Sequence, residues 1–152
     1  SVKVLGWDIA KQDGTFSGDF SDQTKGTSIA KSMSDEGADI IFPVAGPVGL
    51  GASQFAMDSA GKVKIIGVDV DMAVSNPTQA EVYVASVLKK IDSAVLQAVK
   101  DALAKTGGGT DYLGTLANGG VGVSITSTIT PELQAELDAV TAGIIDGSIV
   151  TK

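Results

Sequence analysis

The chain has 152 residues, the size of one ordinary domain. Its 11 lysines and arginines stand against 18 aspartates and glutamates, a net charge of −7, and an acidic surface repels phosphate backbones, which argues against nucleic acid as a partner. Histidine and cysteine are both absent; that removes Ser-His-Asp hydrolysis, cysteine nucleophiles, histidine proton transfer, haem ligation by either residue, most zinc chemistry and any disulfide framework.

Hydrophobic residues at 43% are enough for a core, and charged residues at 19% are on the low side. No run approaches the ~18–20 apolar residues needed to span a bilayer. The most apolar stretch, residues 40–52, is broken by two prolines and three glycines. The chain opens on Ser1-Val2-Lys3-Val4, already inside a strand pattern, and reads as a mature or trimmed piece.

Val2, Val4 and Leu5 open a predicted strand running to about Ile9, and the Gly, Ser, Asp and Thr of residues 13–21 predict a loop that holds Phe16 and Phe20. Ser21 or Asp22 can cap a helix through Glu36, with Gly37 in the usual position just past its end. Residues 38–45 form an apolar run of strand length whose β-branched and aromatic members suit a strand buried on both faces. A glycine-rich turn, residues 46–51, leads into a second helix ending near Gly61, and residues 63–70 make a third strand closing on Asp69-Val70-Asp71.

After loop signals at residues 75–78, residues 82–88 predict a fourth strand and residues 91–105 a helix. Ile91, Ala94, Val95, Ala98, Val99, Ala102 and Leu103 give that helix one broad apolar face. Residues 106–110 read as a flexible connector. Residues 112–116 and 121–125 read as short strands paired around Asn118-Gly119-Gly120. Thr130-Pro131-Glu132 starts a last helix to about Ile145. Alternation of strand and helix predicts an α/β fold with a doubly wound parallel sheet.

In such sheets ligands bind beyond the carboxyl ends of the strands. The loops there carry Phe16 and Phe20, then Gly46-Pro47-Val48-Gly49-Leu50-Gly51, then Asp69 and Asp71, then Lys89 and Lys90. The glycine turn is either a bare backbone that lets a ligand approach or a tight turn packing helix on strand; N–H groups at such a helix start favour anions or polar oxygens. Its order, G-x-x-G-x-G, is not the dinucleotide G-x-G-x-x-G. A carboxylate at residue 69 or 71 can accept hydrogen bonds from both hydroxyls of a vicinal diol, or serve as a helix cap. Phe20 is either a stacking face or a lid on the first strand, and the two lysines are either ligand contacts or solvated charge.

The segments Gly37-Ala38-Asp39-Ile40-Ile41-Phe42-Pro43-Val44-Ala45-Gly46, Ile66-Gly67-Val68-Asp69-Val70-Asp71 and Ala85-Ser86-Val87-Leu88-Lys89-Lys90-Ile91-Asp92 resemble the basic membrane protein family. So do Phe20-Ser21-Asp22-Gln23-Thr24-Lys25-Gly26 and Gly119-Gly120-Val121-Gly122-Val123. Members are bacterial solute-binding lipoproteins of ABC importers, and those understood best bind nucleosides.

The resemblance implies a Rossmann-like lobe of a type I periplasmic-binding-protein fold, the second part of a two-lobe clamshell. A first lobe is then expected before Ser1, and the segment 86–105 crosses back toward it. It also implies that Phe20 stacks on a base, that Gly46 brings backbone to the ligand, that Asp71 holds the ribose and that Lys89 stands near the cleft. An extracytoplasmic location, periplasmic or lipid-anchored, and an ABC permease partner follow from it, with no cofactor and no catalysis. The chain departs from the family where it reads Gly46-Pro47-Val48-Gly49 for Gly-Gly-Thr-Gly, where Ser53 replaces a frequent Phe, and where the insert 13–19 makes Phe16 a rival to Phe20.

Two other readings stay open: a Rossmann-like nucleotide domain of an enzyme, and a sugar or autoinducer receptor of the same architecture. In the isolated chain the apolar face of helix 91–105 is expected either to pair with a second copy or to fold back onto its own sheet.

Overall fold

A computed structural model describes residues 2–106 and 111–151. Most of the connector expected at 106–110 lies outside the described residues.

The first elements are β1 (Trp7–Asp8) and β2 (Asp13–Gly14), which pair antiparallel as a small hairpin apart from the main sheet. The strand expected over residues 2–9 is therefore cut to Trp7 and Asp8. Gly6 has φ +75°, which breaks the extended run, and its carbonyl accepts the Thr15 N–H at 2.9 Å. The Asp8 carboxylate then accepts from the Ala10 and Lys11 N–H groups, at 3.0 and 3.1 Å, and turns the chain back.

Helix α1 (Gln23–Asp35) starts where Asp22 accepts from the Thr24 and Lys25 N–H groups and ends before Gly37, which has φ +101°. Strand β3 (Ile40–Ile41) and helix α2 (Val48–Asp58) follow. The two helices meet through small residues: Gly26 and Ala30 of α1 against Val48, Gly51 and Ala52 of α2. A Cβ at Gly26 would overlap the Val48 carbonyl, and one at Gly51 the Gln23 carbonyl, so the backbones are in direct contact. Thr27 Oγ1 donates to the Gly51 carbonyl at 3.0 Å across the same seam.

Strand β4 (Lys64–Asp69) joins β5 (Tyr83–Lys89) through the short helix α3 (Met72–Ser75) and a 3-10 segment (Pro77–Val82). Helix α4 (Ile91–Ala104), strand β6 (Val121–Ile125) and helix α5 (Pro131–Asp146) complete the chain. The main sheet has the order β3-β4-β5-β6, the first three strands parallel and β6 antiparallel to β5. This is the α/β class with a parallel sheet that the alternation of elements implies.

The core lies between one sheet face and α1–α2: Ala30, Ile41, Ala52, Ala56, Val63, Ile65, Val82 and Tyr83. Burying a side chain such as Ile65 contributes about 1.5–3 kcal/mol. The run 38–45 differs from a strand buried on both faces. Only Ile40 and Ile41 pair, with Lys64 and Ile65, and Ile41 is buried while Ile40, Phe42 and Val44 are exposed. Pro43 has no N–H for a ladder, and β3 is an edge strand with one face covered.

The hairpin expected at 112–125 is also absent; only its second strand forms, and it pairs with β5. Asn118 Oδ1 accepts from the Thr115 and Gly120 N–H groups, and its Nδ2 donates to the Leu113 carbonyl, closing a compact loop where a ladder was expected.

On the opposite sheet face the registered row Val68, Val87, Val123 leaves Val87 and Val123 exposed. Helix α4 buries none of its residues, with Ile91, Val95, Val99 and Leu103 all exposed, so its apolar face is not folded back onto the sheet.

Candidate functional site

Because β3, β4 and β5 run parallel, their carboxyl ends share one edge. Gly46 follows β3, Asp69 ends β4 with Asp71 just beyond, and Lys89 ends β5. Phe20 arrives from the loop before α1. The residue is 75% exposed, and a Cβ placed on Gly46 would lie 4.0 Å from ring carbon Cδ1 and 3.7 Å from the Phe20 carbonyl. Gly46 has φ +56°, a left-handed conformation that glycine adopts without strain. The N–H groups of Gly49 and Leu50 donate back to the Gly46 and Pro47 carbonyls, so this helix start has fewer free donors for an anion than its sequence implies.

A row of small residues across the sheet, Gly67, Ser86 and Ser124 in register, seats α3. A Cβ on Gly67 would come within 2.6 Å of Met72 Cγ, and Ser86 Oγ accepts the Met72 N–H at 3.1 Å. Seating α3 fixes Asp71, its N-cap. Asp71 Oδ1 accepts from the Ala73 and Val74 N–H groups at 3.1 and 3.3 Å, while Oδ2 accepts from Ser124 Oγ on β6. Those bonds occupy three of the carboxylate's roughly four acceptor positions. One position is left for a ligand hydroxyl, fewer than a vicinal diol needs.

Asp69 supplies the neighbouring acceptor. Its φ is +72°, and the Val70 N–H donates to the Val68 carbonyl at 2.9 Å, so Asp69 is the centre of a tight three-residue turn. A non-glycine residue held there stores strain of a kind common at ligand sites. Its carboxylate pairs with Lys89 Nζ at 2.7 Å, and both side chains are substantially exposed. Such a pair adds little stability, and its effect is to orient both groups.

Two clefts flank the turn that carries Gly46. One, of about 290 Å³, lies between the loop with Phe16 and Phe20, the α1 residues Ile29 and Met33, and Phe42 and Val44. The other, of about 240 Å³, lies between Gly46, Leu50, Asp69 and Met72. Ser53 and Tyr83 at its base bond to each other at 2.8 Å. Phe16 is drawn off toward the β1–β2 hairpin, edge-on to Trp7 with centroids 6.4 Å apart, whereas Phe20 sits at Gly46.

Sequence reasoning missed Ser124, which lies 53 residues from Asp71. It also missed the carboxylate turn at Asp19, where Oδ1 accepts from the Ser21 and Asp22 N–H groups at 2.6 and 2.7 Å. The Asp-Phe-Ser-Asp pattern signals such a turn, because an Asp side chain readily bonds N–H groups two and three residues on. Those bonds hold the Asp19 pKa at about 2, below its ordinary 3.8. Among the described residues no cluster of His, Cys, Asp or Glu is arranged to hold a metal ion, and no helix is long and apolar enough to cross a membrane.

Against this geometry, a family profile described as "ABC transporter substrate-binding protein PnrA-like" matches residues 13–152. The chain belongs to that family. An ABC transporter nucleoside-binding protein, BmpA, of Lactococcus lactis subsp. cremoris is 32% identical over 91% of this chain and 43% of its own. Basic membrane protein D of Borreliella burgdorferi is 35% identical over 67% of this chain and 30% of its own. This PnrA-like chain thus spans less than half the length of those curated relatives.

Among solved structures, an ABC transporter solute-binding protein of Aeropyrum pernix superposes with a TM-score of 0.71 at 26% identity, over 91% of this chain and 46% of the other. A transcriptional activator of the comK gene from Bacillus halodurans reaches 0.75 at 14% identity, covering 89% of this chain and 46% of its own, a likeness of fold alone.

Proposed function

We propose that this chain binds a nucleoside-like solute at the carboxyl edge of its sheet and delivers it to an ABC permease, without chemistry or a cofactor of its own. What supports the reading is the shared carboxyl edge of the sheet, where Phe20 lies beside the Gly46 turn, Asp71 follows β4 and Lys89 ends β5, in a member of a substrate-binding family. In this reading the Phe20 ring stacks on the base, which is worth about 1–3 kcal/mol per base in comparable sites. Gly46 presents backbone close to the ligand. Asp71 accepts one ribose hydroxyl through its remaining acceptor position, and the Asp69–Lys89 pair takes the other.

The same reading makes the chain the second lobe of a two-lobe binding protein, held outside the cytoplasm in the periplasm or on a lipid anchor. Of the segment 86–105, residues 86–89 belong to strand β5 inside this sheet, so only the part from Lys90 through α4 then crosses toward the first lobe. The unburied face of α4 and the exposed outer face of the sheet support this, since both are apolar surfaces that another layer would cover. In the isolated chain a second copy takes that place through α4.

A thermal-shift screen of nucleosides and sugars tests the reading. A ligand that binds only the folded chain stabilises it by mass action, about 2.7 kcal/mol at a hundred times Kd. Nucleosides are expected to raise Tm and monosaccharides to leave it unchanged. The reverse pattern would replace the nucleoside reading with a sugar receptor.

A further inference from the structure

We propose that Asp19 is a positioning residue that holds the Phe20 ring against the Gly46 turn. The inference rests on the stacking role of Phe20 and adds what keeps that ring in place. Phe20 is 75% exposed, so packing does little to restrain it. Its backbone, however, is bracketed by two carboxylates. Asp19 Oδ1 accepts from Ser21 N–H, Asp22 N–H and Ser21 Oγ, at 2.6, 2.7 and 3.1 Å, and closes a turn with Phe20 inside it. Asp22 then caps α1, and Lys25 of that helix reaches back to Asp19 Oδ2 at 3.6 Å. On the near side Ser17 Oγ donates to the Asp19 carbonyl at 2.6 Å. The Cα–Cβ direction of Phe20 is thus tied to the start of α1, and α1 is locked to α2 and Gly46 by the glycine seam. A ring fixed before the ligand arrives loses less freedom on stacking, which strengthens binding without a new contact.

The test uses the whole chain with Asp19→Ala, Asp19→Asn and Phe20→Ala, followed by NMR. Without ligand, the Phe20 ring current displaces the Gly46 backbone resonances, and Phe20→Ala gives the ring-free reference. Asp19→Ala is expected to move Gly46 toward that reference. Asp19→Asn, whose Oδ1 still accepts both N–H groups, is expected to leave it near the parent position. Titration with guanosine or inosine should show Asp19→Ala binding about three- to tenfold more weakly, the range expected when one side chain must be ordered on binding.

In the Phe20→Ala background the same change should cost almost nothing, because Asp19 acts through the ring. An equal loss in both backgrounds, or unmoved Gly46 resonances in Asp19→Ala, would overturn the proposal. A parent chain that binds no nucleoside would overturn the stacking role, while the Gly46 resonances still decide whether Asp19 sets the ring.

Discussion

Replacing Gly51 by alanine puts one methyl group into the tightest part of the molecule. A Cβ there would overlap the carbonyl oxygen of Gln23 and press on the Thr27 N–H, both main-chain groups of α1 that cannot swing aside. Overpacking a close-packed site costs about 1–3 kcal/mol, and contact with backbone belongs at the upper end. Alanine returns about 1 kcal/mol of helix propensity inside α2. The balance is a loss of roughly 2 kcal/mol, and for a chain of this size each kcal/mol moves Tm by about 2–4 °C, so a fall of about 4–8 °C is expected. Thermal unfolding followed by circular dichroism on the parent, Gly51→Ala and Gly122→Ala measures it. The Gly122 site in β6 has open space for a Cβ and should tolerate alanine. A Gly51→Ala chain melting at or above the parent would refute the reasoning that α1 and α2 meet backbone to backbone. It would also remove the seam that ties Phe20 to Gly46.

Asp71→Ala should lower stability by about 1–2 kcal/mol through loss of the α3 cap. It should also weaken ribonucleoside binding by roughly 1.5 kcal/mol, with 2′-deoxynucleosides less affected; equal losses for both sugars in calorimetry would count against Asp71 as a ribose acceptor. Asp19 is held at about 2, below its ordinary 3.8, mainly by the Asp22 and Ser21 N–H groups. With a depressed folded-state pKa, its turn contributes fully above about pH 4, and that contribution fades as pH falls through about 2. The Gly46 resonances should therefore hold steady down to pH 3, and an earlier drift toward the ring-free position would contradict the bonds seen at Asp19. Val95→Glu with Leu103→Glu, placed on the exposed face of α4, should turn a self-associating chain into a monomer by sedimentation, whereas a parent already monomeric at high concentration would refute pairing through α4.

The longer helices were legible where their ends are local chemistry, while the short α3 was not foreseen. Asp22, Thr130-Pro131 and Gly37 each act within a few residues of the turn they set. Strands β4 and β5 were legible from their apolar runs. The first strand was not, because Gly6 and the Asp8 carboxylate turn the chain into a hairpin where Val2 and Val4 suggest extension. The run 38–45 has the composition of a central strand, yet it lies at an edge, and edge position depends on the order of strands in space. Asn118 misled in a similar way, since its side chain takes the bonds that a hairpin ladder would have used. At the site, the residues at the strand ends could be read from the sequence, but not all of their commitments. The local cap that Asp71 gives to Ala73 and Val74 was among the roles its position suggests, but its bond from Ser124 and the Lys89–Asp69 pair were not, since both join separate elements.

The most direct test of the account is a nitrogen-15 NMR titration of the chain with a ribonucleoside, since that method reads weak binding residue by residue. The account predicts that Phe20, Gly46, Asp71 and Lys89 shift together along one saturation curve, while Asp39 and Gly61, near the amino edge of the sheet, stay in place. Shifts centred on the amino edge, or a chain that responds to sugars and not to nucleosides, would contradict it.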